Sequence, residues 1–195
     1  MANSTSITYR LKRKILTFTN KISRRLSKPD RKFTADMVYG ILSSKSCLLT
    51  DISDQLHESS RKANTVKRLS NHLAAGTPAS AAASYLRTVK KLVPSEPVVL
   101  IDESDVVKPD GKQFESLGIV RDGSESTQTK NVYKKGYHVT EACALTAHKH
   151  PISVFSRIHS SAEKDYKSVN TITFDAIKQA AALFGKATFV MGPRL

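Results

Sequence analysis

The chain has 195 residues, 39% of them hydrophobic and 25% charged, which are the proportions of a globular protein. No apolar run reaches the roughly 20 residues of a membrane span, and no apolar signal core follows the basic N-terminus, which argues against secretion. The net charge is +14 and unevenly placed: residues 1–95 carry 18 Lys/Arg against 5 Asp/Glu, a balance of +13, and residues 96–195 carry 13 against 12, a balance of +1.

Such asymmetry points to a module for a polyanion, either nucleic acid or an anionic membrane surface, joined to a near-neutral one. A merely solubilising excess is the plainer alternative. The sequence predicts helices through residues 1–95. In YRLKRKILTFTNKISRRLS, Leu11, Ile15, Phe18, Ile22 and Leu26 recur at helical spacing. Arg10, Arg13, Lys14, Lys21, Arg24 and Arg25 fall largely on the other faces, and Pro29 is expected to end this helix. A basic amphipathic helix can lie on a membrane, pack in a bundle or follow a phosphate backbone.

Residues 50–75 read as two short helices around a polar turn. Thr50 is placed to cap the first, with Ile52 and Leu56 facing inward. Val66, Leu69 and Leu73 form the inward stripe of the second, which Gly76 ends. Its other face offers Asn64, Lys67, Arg68 and Asn71, a pattern that suits a helix-turn-helix entering the major groove; a plain helical hairpin with a solvated face has the same signature. A further helix is expected from Pro78 to about Leu92. The break at residues 94–97, rich in proline, coincides with the change in charge and sets the expected boundary between 1–95 and 96–195.

From Val98 the pattern changes. The run VVLI is expected as a strand buried on both faces, and a long polar segment over 104–135 follows it. GYHVTEACALTA and PISVFSRIHS read as two more strands, then a helix from about Ser168 to Gly185, then ATFVM as a last strand. Cys47 and Cys143 match no metal or redox spacing and are expected as small buried residues in a reducing, intracellular setting. His148 and His150 lie in a polar turn without an obvious third ligand. Lys108, Tyr133, Lys134 and Lys135 can touch phosphate or simply flank a strand.

Asp102 is expected at the carboxyl end of the first buried strand, where open α/β sheets bind ligands. Its alternative is a turn-capping role. A phosphotransfer nucleophile would want a second Asp two residues on, whereas Asp105 is three residues on and on the wrong strand parity. Two-metal phosphodiester chemistry instead needs further acids brought beside Asp102 by the fold.

VVLIDESDVVKP, YKKGYHVTEACALTAHKHPISVFSRIHS and the helix leading to ATFVM resemble bacterial DDE transposases of the insertion-sequence-four type. The resemblance covers roughly residues 96–191. It implies a helical DNA-binding region followed by a ribonuclease-H-like mixed sheet, α/β in class, with the first and fourth strands side by side. It puts the first catalytic, metal-binding Asp on Asp102, with magnesium or manganese as cofactor in the intact enzyme. The implied partners are double-stranded DNA at terminal inverted repeats, and further copies of the chain or a full-length transposase. The implied setting is cytoplasmic, at the nucleoid and away from any membrane.

The family's second acid follows the fourth strand in the form apolar-Met-Asp-Arg-Gly-Tyr-Asp. Here Gly192 follows Val190 and Met191. One choice of codons for Asp-Arg-Gly-Tyr-Asp, displaced by one base, reads Gly-Pro-Arg-Leu-stop. The sequence expectation is therefore an incomplete catalytic sheet from a frameshift or truncation. It would not carry out strand transfer, hold magnesium tightly or be more than marginally stable in its second half. Reading the coding DNA in the alternate frame checks it. The alternative is a non-catalytic DNA-binding regulator of a full-length transposase.

Overall fold

The computed structural model describes the backbone of residues 4–192 and the side chains from residue 9 onward. Pro193, Arg194 and Leu195, on which the frameshift expectation rests, lie outside the described residues. Among the described residues the chain is mixed α/β, with six helices and a five-stranded mixed sheet. It divides into two compact units, Met1–Thr88 and Val89–Leu195. No helix among the described residues is long and apolar enough to cross a membrane.

The first unit is helical: α1 (Ser4–Ile22), α2 (Lys28–Ser44), α3 (Leu49–Leu56), α4 (Lys62–Ala75) and nearly all of α5 (Ala79–Val89). Pro29 does not end α1 but stands in the first turn of α2. A missing N–H costs nothing there, because the first N–H groups of a helix have no partner in any case. Ser27 caps α2 by accepting from the Asp30 N–H. Thr50 is likewise not a cap. Leu48 takes that position without a side-chain bond, and the Thr50 hydroxyl turns to Asp51.

The core of this unit is Phe33, Ile52 and Leu69, with Met37, Ile41, Leu49 and Leu56 packed against it. Gly40 lets α2 approach α3, since a Cβ there would lie 2.4 Å from Ile52 Cγ2. The expected stripes are only partly covered: Ile15 is buried, but Leu11 is 57% and Leu73 48% exposed. Cys47 is exposed rather than buried, and Cys143 is half-buried.

The second unit contains β1 (Val98–Val107), β2 (Gly118–Arg121), β3 (Tyr133–Leu145), β4 (Pro151–His159), α6 (Val169–Phe184) and β5 (Thr188–Met191). β3 is central. β1 runs antiparallel along one of its edges, and β4 and then β2 follow end to end along the other, since Gly136 pairs at once with Val107 and with Gly118. β5 lies on the far side of β1 and parallel to it. The polar segment expected over 104–135 thus holds the end of β1, all of β2 and the start of β3. Ser168 caps α6, accepting from the Thr171 N–H, and Gly185 closes it at φ 81°. One face of α6, carrying Ile172, Thr173, Ala176, Ala180 and Phe184, is buried, as are Val99, Ile101, Ala142, Ala144 and Val154 of the sheet.

Candidate functional site

Asp102 is not at the end of its strand. β1 continues five residues beyond it, to Val107, because Glu103 and Asp105 find partners that keep the polar half in the sheet. Asp102 stands instead where the parallel pairing stops: the last β1–β5 pair is Ile101 with Met191. The next residue, Gly192, donates its N–H to the Ile101 carbonyl at 3.3 Å. A Cβ built on Gly192 would lie 3.1 Å from Asp102 Oδ1.

On its other side Asp102 is paired directly with Glu141 of β3. Residues opposite each other in an antiparallel pair share a face, with Cβ atoms about 5 Å apart. Ser156 of β4 continues the row beyond Glu141. The half-buried thiol of Cys143 lies 3.8 Å from Glu141 Oε1, and burial first, then that carboxylate, push its pKa up. Asp102 is exposed, and its Oδ1 accepts from the Glu103 N–H at 2.9 Å. Strand alternation turns Glu103 to the opposite face, where Thr173 Oγ1 of α6 donates to it at 3.4 Å.

The magnesium pair that the resemblance implies asks for more than this row supplies. Asp102 and Glu141 are two carboxylates on one face, and Gly192 offers no side chain. Among the described residues no group of three or more His, Cys, Asp or Glu is arranged to hold a metal ion. The residues present do not fit a two-metal set.

The helical unit carries the other candidate residues. Arg10, Arg13, Lys14 and Lys21 are all exposed. At 100° per residue they fall within an arc of about 100° opposite the buried Thr19. Arg24 and Arg25 are exposed just past the end of α1. On α4, Asn64, Lys67 and Asn71 are exposed and share an arc of about 60° opposite Leu69.

Arg68 is not on that arc. Its Nη2 lies 2.7 Å from Asp36 Oδ2 and 3.1 Å from Glu58 Oε1. Lys32 binds the same two carboxylates, and the Thr65 hydroxyl donates to Glu58 at 2.8 Å. The Lys32 bond, with those from Thr65 and Arg68, holds the Glu58 carboxyl down at about 2. The sequence offered no sign of this network, because Arg68 lies 32 residues from Asp36 and 10 from Glu58.

No family model matches the chain, and no curated protein is found to be similar to it.

Proposed function

We propose that this protein handles DNA as a member of the DDE transposase class. In this reading the helical unit binds duplex DNA, such as transposon ends, and the sheet carries the first catalytic acid at Asp102. The observation that carries the reading is the meeting of Asp102 with position 192 across the parallel β1–β5 pair. The resemblance requires the family's first and fourth strands side by side, with the second acid following the fourth; with the short β2 left out of the count, β5 takes the fourth place. Strand order β4-β3-β1-β5, with α6 leading into β5, supports a ribonuclease-H-like identity for the sheet. The exposed basic arc of α1 and the outward face of α4 support duplex DNA as the partner, since phosphate attraction needs cations that are not already paired.

The chemistry of the intact class is two-metal cleavage and strand transfer. Among the described residues Asp102 and Glu141 are the carboxylates paired on this face, fewer than two-metal chemistry uses, so in this reading the described residues bind DNA without joining strands. That shortage favours the second reading, a non-catalytic regulator that occupies DNA ends in place of a complete transposase and acts at the nucleoid.

Gly192→Asp tests the carrying observation. The new Cβ is close to Asp102 Oδ1, but that oxygen belongs to an exposed side chain that can rotate away by a few tenths of an ångström. Position 192 would then add a third carboxylate beside Asp102 and Glu141 at one hard-cation site. Manganese affinity, measured by calorimetry, should rise over the parent chain because a hard cation gains an oxygen ligand, and adding Asp102→Asn should cancel the gain. Unchanged affinity would remove the ground on which the transposase reading stands. A gel shift with a random-sequence duplex tests the DNA-binding half separately.

A further inference from the structure

We infer that Arg68 is a positioning residue and not a DNA contact: with Thr65 and His72 it fixes the rotation of α4 about its own axis, and so decides which side chains the helix turns outward. The inference rests on the DNA-binding reading above.

Little apolar packing holds α4. Leu69 is its one fully buried apolar side chain among the described residues, joined by the buried Thr65. A helix whose one fully buried apolar side chain is Leu69, with only the half-buried Val66 and the half-exposed Leu73 beside it, can roll about that contact at little cost, because hydrophobic attraction has no direction. Hydrogen bonds do have direction, and α4 makes three kinds on one side of Leu69. Thr65 Oγ1 donates to Glu58 at 2.8 Å. Arg68 Nη2 bridges Asp36 and Glu58. One turn on, His72 Nε2 lies 2.9 Å from Asp30 Oδ1 while its ring stacks on Phe33 with centroids 4.5 Å apart.

Two of these anchors, Arg68 and His72, reach carboxylates on α2 separated by six positions, so they act at two heights along the helix. Rolling α4 either way would break both. Asp36 and Glu58 are each bound by Arg68 and by Lys32, which keeps their charges compensated when little solvent reaches them. The face left outward is Asn64, Lys67 and Asn71. None of their side chains forms a hydrogen bond or ion pair among the described residues, as suits a surface reserved for a partner.

The two roles for Arg68 differ in a measurable way. Each cation that neutralises a phosphate contributes about 0.9 to the slope of log affinity against log salt concentration. A positioning cation contributes nothing to that slope but does control sequence preference. The full chain and its variants are titrated with a short random-sequence duplex between about 50 and 200 mM salt, and preference is read by selection from a pool of randomised duplexes.

Arg68→Met should keep the parent salt slope while its enriched sequences flatten. Asp36→Asn should do the same, and it carries the comparison if Arg68→Met does not fold. Lys67→Ala should lower the slope by about 0.9. A loss of about that size in Arg68→Met would make Arg68 a phosphate contact and overturn the inference. So would retention of the parent preference by both variants, which would reduce the network to a structural role. Parent binding without any preference overturns the inference while DNA binding stands. Failure of the parent chain to bind any duplex overturns the DNA-binding reading itself, and is seen before any variant is made.

Discussion

His159, the last residue of β4, is fully buried, and its Nδ1 meets no hydrogen-bond partner among the described residues. Its Nε2 lies 2.9 Å from Thr140 Oγ1, and its ring stacks between His138 and Tyr166 at 5.6 and 6.1 Å. A neutral ring tolerates this place because a bare nitrogen lone pair is cheaper to bury than an N–H without an acceptor. Burial first, and the neighbouring His138 next, lower its pKa below the ordinary 6.5, against weaker opposing pulls from Glu103 and Glu163. The unfolded chain therefore binds the proton more readily than the folded one. Stability from this residue is complete above about pH 6.5 and falls as pH drops through that value, levelling off below the folded pKa. The denaturant midpoint of the Val89–Leu195 unit, which holds His159, should be lower at about pH 5.5 than at about pH 7.5. In His159→Gln, whose amide can still bond Thr140, that difference should shrink. An equal pH dependence in both proteins would assign it to other groups.

At the scale of elements, the contact of α2 with α3 is set by the absence of one methyl group. Helix propensity alone favours Gly40→Ala by about 1 kcal/mol. The added Cβ, however, would lie 2.4 Å from Ile52 Cγ2, and Ile52 is completely buried with no room to withdraw. Overpacking of that kind costs about 1–3 kcal/mol and should outweigh the propensity gain. Gly40→Ala is thus expected to lower the unfolding midpoint, whereas the same change at the exposed helix-ending Gly76, where nothing lies within 4 Å, meets backbone strain at φ 80° and no clash. Element boundaries show which signals a sequence carries. Ser168 and Gly185 mark α6 because caps are local, and ATFVM marks β5 because Thr188, Phe189 and Val190 suit a strand. Pro29 misleads because a proline is compatible with the end of one helix and the beginning of the next. The extent of β1 past Asp102 is hidden, since Glu103 and Asp105 look like a turn until Thr173 and His138 come to meet them. The row Glu141–Asp102–Gly192 joins residues some 40 to 90 positions apart in the chain. Asp102 could be picked out on its own, whereas Glu141 could be found only from the register.

For the whole molecule, the two compact units differ sharply in charge. Met1–Thr88 holds 16 Lys/Arg against 5 Asp/Glu, and Val89–Leu195 holds 15 against 12. Units with separate cores need not unfold together, and a chain of this kind is expected to show two calorimetric transitions rather than one. Gly40→Ala identifies the transition of the helical unit, because only that one should move. A ligand that binds the folded form alone stabilises it by about 2.7 kcal/mol at a hundredfold excess over its dissociation constant. In a unit of this size such a gain raises the midpoint by roughly 10 °C or more. Random-sequence duplex DNA at low salt should therefore lift the transition that Gly40→Ala lowers and leave the other in place, and the lift should fade as salt is raised. The charge excess itself works against the basic unit when it is free, since like charges repel in the compact state. Duplex phosphate relieves that repulsion where it is concentrated, which is why the effect should be confined to one transition. A lift of the other transition would move the DNA-binding surface to the sheet. A lift of neither, at a salt concentration low enough for polyanion binding, would leave the +14 net charge as a matter of solubility alone.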